Sequence, residues 1–314
     1  NNNVLYSLTI SVKPKLHPKM KFVKITLAIA SSVLIMTSCG GNKKQAEQSE
    51  EFSIEDYIKT AEAIEPSMNK VGQVFNILDL VNAEYYDVLT HDPYSAHQYK
   101  YNYPIAAANL GIYVTDIIYH LYGGDEEKMY LSFAAAQELA NYLGVQSKFG
   151  AWTIERLEGV AVKRDTVTML FNELLTDSEQ YNSEQEMVFV HTAFLTGSFV
   201  EKVHISGNIL KQKLLATELT KEQEGDIREM LVIYLNQLNP SAGALYDAFE
   251  KQQDQLSGIV ILSTFEKLKE LSVQLKSVKS TLAVAPIDEI KGNQELRTSF
   301  QLVEHLREVL VNAS

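Results

Sequence analysis

The chain has 314 residues, of which 46 % are hydrophobic and 22 % are charged, and its formal net charge is −12. This balance excludes a collagen-like or wholly disordered chain, and the acidic charge argues against a nucleic-acid partner held by a basic surface. A single cysteine excludes an internal disulfide framework, a cysteine-based structural zinc site and an iron–sulfur cluster.

The sequence opens with features of an export signal. The first 38 residues contain five lysines and no acidic residue. Met20 begins a short basic stretch, which is followed by an uncharged apolar run from Ile25 to Ser38 and then by Cys39. As a helix this run would span about 21 Å, short of the roughly 30 Å hydrocarbon core of a bilayer. We therefore interpret it as a cleaved secretory signal and not as a membrane span.

The segment around the cysteine has a recognisable pattern. It reads Ile35-Met36-Thr37-Ser38-Cys39 and resembles the lipobox of bacterial lipoprotein signals, in one of the looser forms found in Bacteroidota. The resemblance implies cleavage before Cys39 and a covalent diacylglycerol on its sulfur. Such a lipid would anchor the protein in a membrane.

The domain boundaries follow from this signal. We interpret residues 1–19 as an over-extended gene start and residues 20–38 as the lipoprotein signal peptide. Residues 39–52 are the acylated cysteine with a flexible tether of about 20 Å mean reach. Residues 40–44 read Gly-Gly-Asn-Lys-Lys, whereas surface-exported lipoproteins of Bacteroidota resemble one another in acidic residues at this place. We therefore expect a cell-envelope protein, lipid-anchored in the outer membrane and facing the periplasm.

From residue 53 onward the apolar residues recur at helical spacing, and no segment shows convincing strand alternation bounded by hairpin turns. The predicted helices are 54–64, 67–89, 104–122, 126–143, 151–175, 184–216, 221–238, 242–256, 259–283 and 293–312. The connections are short, the longest being 90–103, so consecutive helices should pack as antiparallel neighbours. We predict an all-α helical domain over residues 53–314, a bundle of roughly nine or ten antiparallel helices behind the cleaved signal and the tether.

Tyrosine is concentrated in one part of the chain, since eleven of the sixteen tyrosines lie between Tyr85 and Tyr142. A tyrosine ring has a flat apolar body and a polar tip, which suits sugar or peptide binding as well as half-buried packing. Two interpretations stay open: the rings cap one end of the bundle, or they line a ligand groove. The candidate ligand-binding residues of such a groove are Tyr94, Tyr99, Tyr101, Tyr103, Asn109 and Tyr113.

The helix after Pro104 carries two patterns. Ala107, Gly111 and Thr115 recur every four residues and would let another helix approach closely. Asn109, Tyr113, Asp116 and His120 follow helical spacing and form one polar seam beside an apolar one. This seam is either partly buried, in which case its members need hydrogen-bond partners, or a solvated helix face.

Part of this helix also carries a resemblance. The stretch from Ala108 to Tyr113, with Asp116 and Tyr119, resembles a pattern found in uncharacterised helical lipoproteins of Bacteroidota. The resemblance implies the compartment and the helical fold. It transfers no catalytic role.

A second polar seam lies on the predicted helix 184–216, where Glu201 and His204 form a Glu-x-x-His pair. Di-iron carboxylate bundles use two such pairs and two further glutamates, and this chain has one pair. A mononuclear divalent metal site would form if Asp116 and His120 faced Glu201 and His204. The competing interpretation is that all four are ordinary surface or capped residues.

Two functions therefore stand as hypotheses. The first is a non-enzymatic, lipid-anchored envelope protein that binds an envelope protein or a small ligand, or acts as a scaffold. The alternative is a metal-binding helical-bundle protein that uses Asp116, His120, Glu201 and His204. The sequence has no nucleophile elbow, no phosphate-binding glycine loop and no His-Glu-x-x-His motif, so no catalytic residue is assigned.

Overall fold

The computed structural model describes residues 83–145, 185–251 and 262–312, all within one compact unit, Ser49–Ser314. These residues form seven α-helices and two 3₁₀ helices and no strand, which confirms the all-α prediction. The α-helices are α1 Tyr103–Gly123, α2 Glu126–Tyr142, α3 Gln185–Leu215, α4 Lys221–Lys251, α5 Leu262–Leu282, α6 Ile287–Gly292 and α7 Gln294–Val311. The 3₁₀ helices are Asp87–Leu89 and Pro93–Tyr101. Among these helices none is long and apolar enough to cross a membrane.

Several predicted features lie outside the described residues and stay predictions. They are the gene start 1–19, the signal 20–38, the acylated Cys39 with its tether, and the helices 54–64 and 151–175. The predicted helix 67–89 is wrong at its described end, because residues 83–86 are not helical and Asp87–Leu89 is a single 3₁₀ turn.

Helix α4 corrects another expectation. The spacing predicts two helices here, 221–238 and 242–256, but the described backbone is helical from Lys221 to Lys251, through Pro240, which lacks a backbone N–H. One stripe of buried side chains keeps helical spacing on both sides of the proline; its members are Ile227, Met230, Leu231, Tyr234, Leu235, Leu238, Ala242 and Leu245. Packing of this continuous stripe, chiefly against α5, compensates for one missing hydrogen bond.

Helices α1 and α3 form the centre of the described bundle and share its most extensive contact. They cross at glycines on both helices. A Cβ added at Gly111 would lie 2.8 Å from the backbone nitrogen of Ser198, and one at Gly197 would lie 3.0 Å from the Cα of Ala108, with each neighbouring carbonyl oxygen closer still. The predicted close approach of a helix to Gly111 is thus confirmed.

The other helices surround this pair. Helix α2 packs on α1, α4 packs on α3 and α5, and α7 lies against α3 and α5. Asn102 caps the start of α1 by accepting a hydrogen bond from the Ile105 N–H, and Asp125 caps α2 through the Lys128 N–H. Gly124 ends α1 in the left-handed conformation, at φ 71°, that glycine adopts without strain.

Candidate functional site

An irregular segment, residues 83–102, lies over α1 and is called the strap below. Apart from its two 3₁₀ helices it has no regular structure, so much of its backbone lacks the partners that a helix or sheet would supply. The 3₁₀ helix Pro93–Tyr101 also packs against α2. Its start is capped by Asp92, whose carboxylate accepts from the Tyr94 N–H.

Side chains of α1 hold the strap by its backbone. The Tyr122 hydroxyl donates to the Ala83 carbonyl at 2.6 Å, and the Tyr119 hydroxyl accepts from the Tyr86 N–H at 2.9 Å. Two further bonds come from α1: Asp116 Oδ2 accepts from the His91 N–H at 3.0 Å, and the Tyr113 hydroxyl donates to the Asp92 carbonyl at 2.9 Å. From α7, Arg307 Nη2 donates to the Leu89 carbonyl at 3.4 Å.

The polar seam of α1 is therefore buried. Asn109, Tyr113, Asp116 and His120 are almost completely shielded from solvent. Asn109 donates to the Leu310 carbonyl at 2.9 Å and so satisfies the C-terminal end of α7. The seam is polar because it faces irregular backbone and a helix end, both of which need hydrogen-bond partners.

His91 and Tyr99 connect the strap to the end of α7. The Tyr99 hydroxyl donates to the Val311 carbonyl at 2.8 Å, so it must accept from His91 Nε2, 2.6 Å away. The His91 ring stacks on Tyr113, with ring centroids 5.2 Å apart. Burial lowers the pKa of His91 to about 4, which agrees with a neutral ring that carries its proton on Nε2.

A buried group of three ionisable residues lies beneath the middle of the strap. Arg307 of α7 donates to both oxygens of Glu201, from Nε at 2.6 Å and from Nη2 at 2.8 Å. The Asp116 carboxyl lies within hydrogen-bonding reach of Glu201. Both carboxyl groups are fully buried. Two carboxylates and one guanidinium would leave one unbalanced negative charge here.

The pKa directions resolve this imbalance. Burial, together with the Glu201 charge, raises the pKa of Asp116 well above its usual range. Burial also acts to raise the pKa of Glu201, but the charge and hydrogen bonds of Arg307 outweigh it and lower that pKa. Asp116 is therefore the protonated partner. Its Oδ1 has no hydrogen-bond partner among the described residues, so this oxygen can carry the proton toward Glu201.

His204 lies further along α3 in a different environment. Its Nδ1 is 3.0 Å from Glu304 of α7 and 3.2 Å from the Asn208 amide. The hydrogen bond from His204 lowers the pKa of Glu304 to about 2. These groups line a small cleft together with Tyr234 and Phe300. The cleft has about the room that one water molecule needs.

The predicted metal ligands are only partly brought together. Asp116 and Glu201 meet, but Arg307 occupies both oxygens of Glu201, and His204 pairs with Glu304. His120 has its Nδ1 2.7 Å from the Tyr85 hydroxyl. Within the described ranges no group of three or more His, Cys, Asp or Glu is arranged to hold a metal ion. Metal binding by the four residues stays a prediction.

The candidate ligand-binding residues separate into two groups. Tyr99, Asn109 and Tyr113 are buried and bonded to backbone carbonyls, so they hold the structure together and offer no contact to a ligand from outside. Tyr94 and Tyr101 are exposed to 70 % and 90 %. Tyr103 is about half exposed, and its ring lies 4.9 Å from that of Tyr142. The buried members therefore serve packing and hydrogen bonding, and ligand binding by the exposed tyrosines stays a prediction.

Sequence reasoning missed Arg307 and His91. Arg307 lies beside the buried stripe of α7, next to Leu306 and four positions after Val303, where helical spacing also favours an apolar side chain. An arginine in that place is the signal that a buried carboxylate needs a partner. His91 carries no comparable signal, because it lies on the strap and outside any periodic pattern.

No family model, no curated protein and no solved structure matches this chain. Any functional argument therefore rests on the residues and contacts above.

Proposed function

We propose that the protein is a lipid-anchored helical protein of the cell envelope that acts by binding and not by catalysis. The lipobox-like segment ending at Cys39 supports the anchor. The contact surface is the strap face, which we define as Val88, Tyr94, Tyr101 and Tyr103. These four are among the seven large hydrophobic side chains that are exposed in the described part of the chain.

That concentration is the observation that carries the proposal. Single exposed apolar residues are ordinary, whereas four within sixteen consecutive residues are a local concentration. The strap backbone beneath them is held by the hydrogen bonds of Tyr113, Tyr119 and Tyr122. Rigidly supported tyrosines bind at a low cost in conformational entropy.

The anchor is tested by mass spectrometry of the protein purified from envelopes. We expect cleavage before Cys39 and a mass increase for its acyl groups, and we expect Cys39→Ser to release the protein from the membrane fraction. An unmodified Cys39 in the membrane fraction would refute the anchor.

Binding is tested by comparing two variants in cross-linking experiments on envelopes. The strap variant Y94S/Y101S/Y103S should lose the cross-linked species that the parent forms. The control L215S/V273S/V284S removes three exposed apolar side chains elsewhere and should still form the cross-linked species. Equal patterns from the two variants would contradict the proposal. A thermal melt of each variant checks that its fold is intact.

A further inference from the structure

The strap face has little free charge. Between Val88 and Tyr103 the only Asp, Glu, Lys or Arg residues are Asp92 and Lys100. Asp92 accepts hydrogen bonds from the Tyr94 N–H at 3.0 Å and from the Ser95 hydroxyl at 3.4 Å. Lys100 forms an ion pair with Glu138 of α2. On a chain of net charge −12, this stretch therefore carries one exposed carboxylate, Asp92, and one ion pair.

The two exposed rings of the longer 3₁₀ helix both face away from the bundle. In a 3₁₀ helix residues three apart lie in line, and the buried Ala96 and Tyr99 mark the inner line of Pro93–Tyr101. Because successive residues are about 120° apart, Tyr94 and Tyr101 lie about 120° to either side of this line and share the outer side of the helix. Both rings can therefore reach one flat surface.

We propose that the strap face docks on the surface of the lipid bilayer that carries the anchor. Tyrosine suits this place because its ring enters the boundary between headgroups and acyl chains while its hydroxyl stays hydrated. Val88 of the strap, exposed to 82 %, adds an aliphatic group to this set. With one exposed carboxylate and one ion pair, the face meets little electrostatic repulsion from a neutral headgroup layer.

A few side chains give a weak contact, and the anchor makes a weak contact sufficient. In this respect the inference rests on the proposed function. Residues 40–82 connect Cys39 to the strap, so a lipid on Cys39 keeps the strap face near the membrane at a high effective concentration. The docked strap face would then set the orientation of the bundle on the membrane.

The test uses the chain from residue 39 coupled through its sole cysteine, Cys39, to a maleimide lipid in phosphatidylcholine vesicles. Hydroxyl-radical oxidation then reports the exposure of each side chain. We expect oxidation of Tyr94 and Tyr101 to slow by at least about threefold on the vesicles relative to the free protein. Leu215, exposed to 72 % away from the strap, serves as the internal control and should keep its rate. Unchanged rates at both tyrosines would overturn the proposal.

A second measurement removes the tether. The Cys39→Ser chain should float weakly with the same vesicles, and the variant V88S/Y94S/Y101S should float at least about threefold less. The control L215S/V273S/V284S should float like the parent, and an equal loss in both would overturn the proposal. Should the strap variant fail to fold, Tyr101→Ser alone gives the comparison.

A protein partner is distinguished by the same oxidation readout. Protection of Tyr94 and Tyr101 that appears only after envelope proteins are added to the vesicles would overturn lipid docking and leave the proposed binding function standing. Because the coupling is chemical, the result also does not depend on whether Cys39 is acylated in the cell.

Discussion

The strap side of the molecule and the side formed by α4, α5 and α7 are held together by different interactions. On the strap side, buried polar side chains of α1 reach irregular backbone, as Tyr119 does at Tyr86 and Asp116 at His91. On the other side, helices pack through apolar stripes whose buried members include Leu231, Leu268, Leu271, Leu275, Val303, Leu306 and Leu310.

The difference follows from where the backbone finds its partners. A helix satisfies its own N–H and C=O groups, so it can present an apolar face to its neighbours. The strap cannot, and the helix beneath it must supply donors and acceptors from its side chains. On the other side the buried contact of Tyr234 with Ser299 joins two side chains, and the irregular backbone is a short turn after α5 that Arg228 supports through the carbonyls of Ala283 and Ala285.

The largest effect is expected from removing the cation under the strap. Arg307→Met leaves Glu201 buried without its partner and should lower the free energy of unfolding by about 3–5 kcal/mol, measured by urea denaturation. Arg297→Met on the same helix removes an exposed arginine and should cost far less. Adding Glu201→Leu to Arg307→Met should recover much of the loss. Equal costs for the two arginines would show that the buried pair is not a principal support.

The crossing of α1 and α3 should be sensitive to a single methyl group. Gly111→Ala and Gly197→Ala force the two backbones apart and should each cost about 1–3 kcal/mol. Gly225→Ala is the matched control on α4, because a Cβ there meets no atom within 4 Å. It should stabilise the protein by up to about 1 kcal/mol through helix propensity. Thermal melts that place all three variants on the same side of the parent would contradict this contact.

Asp116→Asn should remove one pH dependence of the protein's stability. Since the pKa of Asp116 is raised in the folded state, folding binds a proton, and stability falls as pH rises from about 4 toward the folded pKa. The slope is at most about 1.4 kcal/mol per pH unit. Asparagine keeps an acceptor for the His91 N–H and stays neutral. In urea denaturation between pH 4.5 and 8, the free energy of unfolding of the variant should rise relative to that of the parent as pH rises. Equal pH dependence of the two proteins would refute the shared proton.

The smallest effect is expected from removing one tyrosine hydroxyl on each side of the molecule. Tyr119→Phe leaves the Tyr86 N–H without its acceptor and should cost about 1–2 kcal/mol, with faster amide hydrogen exchange at Tyr86. Tyr234→Phe should cost less, because the Ser299 hydroxyl still donates to the Leu296 carbonyl. A larger loss for Tyr234→Phe than for Tyr119→Phe would remove the contrast between the two sides.

Much of the fold was predictable because helical periodicity is local. The predicted helices 104–122, 126–143 and 184–216 agree with α1, α2 and α3 to within one residue at each end. The expectation failed where tertiary packing outweighs local preference, at Pro240 inside α4 and at residues 83–89. The alignment of the polar residues on α1 was predictable from helical spacing. Their burial was not, because it depends on the strap, whose sequence has no periodic pattern.

The amino-acid sequence by itself determined the helical class, the small residues that let α1 and α3 meet, and the spacing that aligns Asn109, Tyr113, Asp116 and His120. Spacing along one helix decides which side chains share a face, and it carries no information about what covers that face. Only the tertiary structure decided that Arg307, about a hundred residues beyond Glu201, neutralises it. It also decided which tyrosines hold the strap and which face outward, because burial is a property of the packed chain.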